Sequence, residues 1–397
     1  MSIEIPYDIL RVAGEIHSKP NRAVVATAGA GAHALAWLLG VSGASRTVLE
    51  AVVPYGPESM ARFLGHKPAC HVSLRTAKEM AEAAYIRALS LRDGQGPVVG
   101  LGCTATIATT RPKRGEHRCS VSTWDEDGTT TYDLKLAKGG RSRGGEEEVV
   151  SRLILRALAE SSGVGLELAL GLLDGEDLKV QHDDRGQPLR HLLDQVGSEG
   201  KGGVRTVTVH PSGKMSADEP ARAPVLAGSF SPLHHGHERL AQVASEMLGT
   251  PAVFEISVVN ADKPRLTETE VRSRLRQFRG RGTVVLTQAP RFREKAYLLP
   301  GCTFVIGWDT AVRLVDSKYY GGHQGEMHQA LTEIRGGGCR FLVAGRLDEG
   351  VFRTLADVAV PTEFADLFAA IPESRFRVDV SSLELRSAWE SSKGKGK

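Results

Sequence analysis

The chain reads Gly228-Ser229-Phe230-Ser231-Pro232-Leu233-His234-His235-Gly236-His237 shortly after its midpoint. A short apolar run, 224–227, precedes this stretch, and a helical pattern, 238–244, follows it. We expect a strand, a tight turn and a helix start, where backbone N–H groups and the helix dipole favour an anion. There, His234 and His237 can donate hydrogen bonds to a phosphoryl group as its charge shifts. The stretch therefore predicts a site for a triphosphate.

All ten positions of this stretch match the G-(S/T)-F-x-P-x-H-x-G-H motif, so the segment resembles the nucleotidylyltransferase superfamily. Members of that superfamily transfer AMP or CMP from a nucleoside triphosphate. The resemblance implies that His234 and His237 are catalytic. It also implies that the nucleotide-binding loop contains Gly228, Ser229, Phe230 and Gly236. We expect Mg²⁺ as the cofactor, held mainly by phosphates and water, and assign it no protein ligand.

A second candidate element is the run 304–309, which we interpret as a buried strand that ends in Gly307 and Asp309. Ligands of open parallel sheets bind beyond the carboxyl ends of the strands. The run resembles the F-(I/L)-(I/L)-G-x-D element of nicotinamide and nicotinate mononucleotide adenylyltransferases, which implies nucleotide binding by Gly307 and Asp309. A strand followed by a helix cap at Asp309 is the alternative. Whether Trp308 contacts substrate or fills the core stays open.

A third element, 380–386, resembles the I-S-S-T-x-(I/V)-R motif of the same family, with Leu383 where a threonine is usual. Hydroxyl groups at a helix start can reach phosphate oxygens, and an arginine one turn later can hold them as a planar fork. The resemblance implies nucleotide binding by Ser381 and Ser382 and a catalytic role for Arg386.

A cationic loop follows the apolar run 253–259 and contains Lys263. It resembles the lysine-bearing loop after the second strand of mononucleotide adenylyltransferases, which implies a catalytic Lys263 that neutralises substrate phosphate. Five arginines follow, and we expect most of them on a solvated face: Arg272, Arg274, Arg276, Arg279 and Arg281.

Composition narrows the classes of protein that the chain can belong to. With 397 residues, 41% of them hydrophobic and 24% charged, it fits a globular protein of two or three domains. The net charge of +3 gives no reason to expect nucleic acid or a membrane as partner. Five scattered cysteines favour a reducing compartment, and no targeting pattern is evident, so we expect a cytoplasmic protein.

The order of predicted elements indicates the α/β fold class. Residues 1–160 form an α/β domain, and 161–222, rich in Gly and Asp, are interpreted as a linker region. Residues 223–390 alternate strand and helix patterns, as expected for a Rossmann-like, doubly wound parallel sheet. The polar end 391–397 is predicted to be a disordered tail.

The N-terminal domain resembles the C-terminal domain of competence-damage-inducible (CinA) proteins, known as a nicotinamide mononucleotide deamidase. The match runs through 25–32, 41–45 and 53–55. The family's serine nucleophile falls on Ala28 and its lysine on Met60, whereas Tyr55 is kept. Because an amidase of this kind needs an activated oxygen nucleophile, we predict a vestigial, inactive site.

The role left to this domain is open. Its Gly-rich turn can still offer backbone N–H groups to a mononucleotide phosphate. Regulation, substrate retention, dimer formation and a purely structural role are the alternatives, and a homo-oligomer formed through this domain is one of them.

Together the two resemblances predict an adenylyltransferase that joins AMP from ATP to nicotinamide or nicotinate mononucleotide. Its partners would then be ATP and a pyridine mononucleotide. Transfer to another phosphorylated acceptor, of the cytidylyl or phosphopantetheine type, is the alternative within enzymes. A non-catalytic nucleotide-binding sensor is the alternative outside them.

Overall fold

Two separate sheets organise the protein. The structure is a computed structural model that describes residues 5–94, 96–110, 115–194, 203–259 and 264–378. The chain divides into two units, Met1–Gly186 and Gln187–Lys397. Each unit has a sheet with parallel pairs and helices packed on it, so the fold is mixed α/β, as predicted. Across the described ranges, no helix is long and apolar enough to cross a membrane.

The N-terminal unit is a six-stranded sheet with helices on both faces. Its strands are β1 (Arg22–Ala28), β2 (Val48–Val52), β3 (Val98–Thr106), β4 (His117–Trp124), β5 (Gly128–Leu136) and β6 (Asp177–Asp184). Its helices are α1 (Tyr7–Ser18), α2 (Ala32–Gly40), α3 (Ala44–Thr47), α4 (Pro57–Leu64), α5 (Leu74–Leu91) and α6 (Arg143–Ser161). The strand order is β2-β1-β3-β4-β5-β6, with β1 parallel to β2 and β3 and the remaining pairs antiparallel.

Helices cover both faces of this sheet, which explains why β3 is an almost continuous apolar run. On one face, α1, α2 and α6 pack against β1, β3 and β4. On the other face, α5 covers β1 and β3. Strands β4 and β5 form a hairpin, in which they pair from His117↔Leu136 to Trp124↔Thr129.

The C-terminal unit contains ten strands and six α-helices among its described residues. The strands are β7 (Thr206–Val209), β8 (Met215–Ala217), β9 (Pro224–Ala227), β10 (Val253–Ser257), β11 (Val284–Thr287), β12 (Thr303–Gly307), β13 (Arg340–Ala344), β14 (Arg346–Asp348), β15 (Val351–Arg353) and β16 (Phe368–Ala370). The helices are α7 (Gln187–Asp194), α8 (His235–Leu248), α9 (Glu268–Leu275), α10 (Phe292–Leu298), α11 (Trp308–Leu314) and α12 (Gln324–Gly336). Four short 3₁₀ helices complete it, at Arg276–Phe278, Ser317–Tyr320, Leu355–Asp357 and Thr362–Leu367.

The main sheet of this unit has the order β16-β13-β12-β9-β10-β11-β7-β8. The six strands from β16 to β11 are all parallel. Counted along the chain from β9, their order is 3-2-1-4-5-6, the arrangement of a doubly wound sheet. Helices α8 and α9 pack on one face, and α10, α11 and α12 pack on the other.

The predicted linker 161–222 instead contributes elements to both units. Strand β6 extends the first sheet, and β7 pairs antiparallel with β11 and β8 in the second. The unit boundary lies after Gly186, and α7 beyond it buries Leu189 and Leu192. Strand β6 has no apolar alternation because it is an exposed edge, so its sequence resembles a loop.

His17 ties three elements of the N-terminal unit together. Its ring is buried, with Nδ1 2.9 Å from Thr47 Oγ1 and Nε2 3.0 Å from the Leu38 carbonyl oxygen. Because a carbonyl oxygen only accepts, Nε2 carries the proton of the neutral ring, and Nδ1 accepts from the Thr47 hydroxyl. Burial lowers the pKa of His17, and the nearby Arg46 charge lowers it further.

This histidine predicts acid sensitivity. The unfolded chain takes up a proton near the ordinary histidine pKa, about 6.5, whereas the folded chain resists it. Above that pH the His17 ring is neutral in both states, and its full contribution to the free energy of unfolding is present. As the pH falls below it, the free energy of unfolding should decline, because only the unfolded chain takes up the proton readily. Hydrogen exchange of the α1 amides in denaturant at pH 8 and pH 5 measures this loss. His17→Gln should reduce the pH dependence and the exposed-site control His71→Gln should not; equal slopes in both variants would contradict the assignment.

Candidate active site

The two predicted site segments follow neighbouring strands of the C-terminal sheet. Strands β9 and β12 pair directly, with Val225 opposite Phe304 and Leu226 opposite Val305. From β9 the chain passes to β10 on one side, and from β12 it passes to β13 on the other. A crevice opens where two such connections diverge, beyond the carboxyl ends of the strands. The runs 228–237 and 307–309 both begin at that crevice.

A cavity of about 210 Å³ occupies this position. Five of the residues predicted from sequence line it: His234, Gly236, His237, Gly307 and Asp309. Apolar side chains form much of the remaining wall, among them Leu226, Leu240, Phe292, Ile306 and Phe376. A cavity that combines apolar walls with a few convergent polar groups is a common form of small-molecule site.

The two histidines lie against each other at the start of α8. Their ring centroids are 3.7 Å apart and their planes differ by 26°. The backbone N–H of His234, the N-cap residue, donates to Nδ1 of His237 at 3.4 Å. The neutral His237 ring therefore carries its proton on Nε2, as a hydrogen-bond donor. Gly236 leaves room for the His234 ring, because a Cβ at this position would lie 3.0 Å from Nδ1 of His234.

Both histidines are neutral at pH 7 in the ligand-free protein. Burial, and to a smaller extent the neighbouring His234, lower the pKa of His237 to about 4. Burial also lowers the pKa of His234, against the opposing charge of Glu238. The pair can therefore offer hydrogen bonds to a phosphate oxygen without a permanent charge, and a bound anion would favour protonation.

Three residues predicted to bind nucleotide, Gly228, Ser229 and Phe230, are not among those that line the cavity. The Gly228 N–H donates to the Glu255 carbonyl at 3.0 Å, and the Ser229 carbonyl accepts from Arg274 Nη1 at 3.1 Å. Phe230 is 1% exposed, and its ring meets the His237 ring edge-on at 4.9 Å. Its φ of +43° is rare for a residue with a side chain, so the turn is held against local strain.

The arginines after Lys263 differ in their surroundings. Arg274 is half-buried, and burial lowers its pKa, so it does not belong to the solvated face that the sequence suggested. Arg272 is also half-buried and pairs with Glu268 at 2.8 Å, whereas the exposed Arg281 pairs with Glu238 at 3.1 Å.

Asp309 faces a partner that the sequence did not suggest. Arg346, the first residue of β14 and two residues beyond the end of β13, lines the cavity, and its Nη1 lies 3.2 Å from Oδ1 of Asp309. One signal could have found it: a glycine separates the apolar run 341–344 from Arg346, as Gly228 and Gly307 separate such runs from Ser229 and Trp308. Trp308 itself packs against the core cluster on the α11 face, which favours its role as a core residue.

The other predicted residues lie outside the described residues. They are Lys263, Ser381, Ser382 and Arg386, and the predicted tail 391–397 lies outside them as well. Among the described residues, no group of three or more His, Cys, Asp or Glu side chains is arranged to hold a metal ion.

The vestigial site of the N-terminal unit is apolar where an amidase would need polar groups. Met60 is 2% exposed and belongs to a cluster with Ala26 and Met80. Ala28, at the end of β1, packs against the same cluster. Tyr55, by contrast, is 69% exposed. The two positions at which the sequence resemblance predicts the nucleophile and the lysine therefore carry packed apolar side chains.

The Gly-rich turn of this unit is already occupied by a carboxylate. Glu147 Oε1 accepts hydrogen bonds from the N–H groups of Gly31 at 2.8 Å, Ala32 at 2.6 Å and His33 at 3.3 Å. These are the groups at the start of α2 that a phosphate would need. The expectation that this turn offers a phosphate site therefore fails, because α6 supplies the anion.

Comparisons with known proteins find similarity in fold to CinA-type proteins over about 40% of the chain. No family model matches the chain, and no curated protein does. A competence/damage-inducible protein, CihA from Agrobacterium tumefaciens, is 19% identical, with 42% of this chain and 100% of that chain covered and a TM-score of 0.32. One from Enterobacter asburiae is 18% identical, with 39% and 96% covered and a TM-score of 0.31. A CinA superfamily protein from Escherichia coli is 13% identical, with 41% and 95% covered and a TM-score of 0.32. Similarity at this level establishes neither family membership nor activity.

Proposed function

We propose that the C-terminal unit is an adenylyltransferase that transfers AMP from ATP to nicotinamide or nicotinate mononucleotide. The observation that carries the proposal is the stacked pair His234 and His237, at the start of a helix and at the crevice of a doubly wound sheet. Gly307, Asp309 and Arg346 on the opposite side of the cavity support it. The choice of acceptor follows only from the sequence resemblance.

The reaction needs no covalent enzyme intermediate. A phosphate oxygen of the mononucleotide attacks the α-phosphorus of ATP in line, the bond to the β-phosphate oxygen breaks, and pyrophosphate leaves. Catalysis then consists of positioning and of stabilising the shifting charge. The N–H group at Nε2 of His237 would donate a hydrogen bond to a phosphate oxygen, and the ring of His234 would present a second donor beside it.

Cationic groups would balance the polyphosphate. Arg346 is the described candidate, since a phosphate could replace the Asp309 carboxylate as its partner. Lys263 and Arg386 have this role only by the sequence resemblance. Mg²⁺ would enter as part of the MgATP substrate and bridge phosphate oxygens.

We infer that the N-terminal unit has no amidase activity. The apolar packing of Ala28 and Met60 supports this inference, because it leaves neither nucleophile nor base. The occupation of the Gly-rich turn by Glu147 favours a structural role over substrate retention at that turn.

Pyrophosphate release by the purified full chain with Mg²⁺ tests the proposal. ATP and CTP are each paired with nicotinamide mononucleotide, nicotinate mononucleotide and phosphopantetheine, while ammonia is followed in parallel. Release confined to ATP with a pyridine mononucleotide, without ammonia, is expected. Release with CTP or with phosphopantetheine would establish the alternative acceptor class. Tight ATP binding without turnover in any pairing would establish the nucleotide sensor.

His237→Ala should lower kcat by about two orders of magnitude or more, because it removes a donor that stabilises the transition state. His235→Ala is the matched control, since this exposed neighbour in the same motif does not line the cavity. Steady-state kinetics of both variants give the comparison. Equal activities would remove His237 from the mechanism.

Triphosphate binding should become tighter as the pH falls. The pKa of His237 is about 4 in the ligand-free protein, and a bound polyphosphate raises it. Between these two values, binding takes up a proton, so affinity increases as the pH falls from 7 towards 5. Calorimetry with a non-hydrolysable MgATP analogue measures the slope. His237→Gln should flatten it, and a slope as steep as in the unmodified protein would contradict the assignment.

Ala28→Ser should not produce ammonia from nicotinamide mononucleotide. The new hydroxyl would lie against the Met60 cluster, with no base to activate it. Ammonia release, measured beside the unmodified protein, decides this. Amidase activity in the variant would show that Ala28 does occupy the nucleophile's position. It would also show that the base is a residue at a position other than Met60.

A further inference from the structure

One polar side chain bridges the two ends of the turn between Phe230 and Leu233. Gln277 lies in the 3₁₀ helix that follows α9 and is half-buried. Its Oε1 accepts from the Leu233 N–H at 2.8 Å, and its Nε2 donates to the Phe230 carbonyl at 3.0 Å. A primary amide can satisfy a donor and an acceptor at once, and both of these groups belong to the main chain.

One of the two bonded groups belongs to Phe230, whose backbone conformation is the hardest to maintain in this turn. Phe230 has φ +43°, a conformation that a residue with a side chain retains only where its surroundings hold it. Leu233 directly precedes His234, the N-cap of α8. A shift at either position would therefore move the two stacked rings.

The ring of Phe230 transmits this restraint to His237. It contacts the His237 ring edge-on at 4.9 Å and also meets Phe254 at 5.3 Å and Phe278 at 5.4 Å. Phe278 is the residue next to Gln277 and is 2% exposed. The main-chain bonds and the aromatic contacts thus fix the turn from the same element.

We propose that Gln277 is a positioning residue that holds the turn so that His234 and His237 face the cavity in a fixed arrangement. This inference rests on the proposed function for its catalytic consequence, but not for its structural one. None of its three hydrogen-bond partners, Leu233, Phe230 and Arg274, lines the cavity. Gln277 acts through the turn and not on substrate.

The sharpest variant is Gln277→Met, which keeps the length of the side chain and removes its hydrogen bonds to Leu233 and Phe230. It also removes a longer hydrogen bond, at 3.3 Å, from Gln277 Nε2 to the Arg274 carbonyl. Gln288→Met is the matched control. Gln288 is also half-buried and donates to a main-chain carbonyl, that of Leu192, but it follows β11, two strands away from β9. Gln277→Glu is the second variant, because it keeps an acceptor for Leu233 and lacks the donor for Phe230.

The deciding readout is the pH titration of the histidine ring protons by NMR in the ligand-free protein. In Gln277→Met the turn relaxes, water reaches His237, and the pKa of its ring should rise from about 4 towards the ordinary value. Gln277→Glu should shift it in the same direction, and Gln288→Met should leave it unchanged. An unshifted titration in folded Gln277→Met and Gln277→Glu would overturn the proposal.

Kinetics separate this inference from the proposed function. If the protein transfers AMP, Gln277→Met should lower kcat by about ten- to a hundredfold, as small misplacements of catalytic groups do, with a much smaller change in KM. A rise in KM at unchanged kcat would overturn the positioning role. If no transfer occurs in the unmodified protein, the proposed function fails, and the titration still decides the role of Gln277.

Discussion

The parallel pairing of β9 with β12 is the constraint on which the C-terminal unit depends. The chain passes from β9 to a strand on one side and from β12 to a strand on the other, so no connection covers the gap between their carboxyl ends. The crevice between them receives the start of α8 from one side and the start of α11 from the other. His234, Gly236 and His237 therefore line one cavity with Gly307 and Asp309, although the two groups are about seventy residues apart in sequence.

Much of this arrangement was predictable from sequence. The motif around His234 and the strand before Asp309 both carry strong local patterns, and the rule for parallel strands brings their ends together. Arg346 and Gln277 were missed for a different reason. Each acts through a partner distant in sequence, Asp309 or the turn at Phe230, and neither lies in a pattern that specifies the partner. The exposed edge strand β6 was missed because most of its side chains are exposed, which leaves no apolar alternation in its sequence.

The N-terminal unit fills the positions of its predicted site with side chains of its own. The sheet and its covering helices supply the core, which does not require the polar groups of an active site. Met60 adds apolar packing at the end of β1, and Glu147 satisfies three N–H groups at the start of α2. Met60 and Glu147 both belong to the chain itself, so neither the packing at the end of β1 nor the N–H groups at the start of α2 need a ligand.

The crystal structure of the full chain with an α,β-methylene analogue of MgATP tests the central claim most directly. We expect the polyphosphate to bind at the crevice between β9 and β12, with a phosphate oxygen within hydrogen-bond distance of Nε2 of His237. Polyphosphate bound elsewhere, with the rings of His234 and His237 left without a contact, would contradict it.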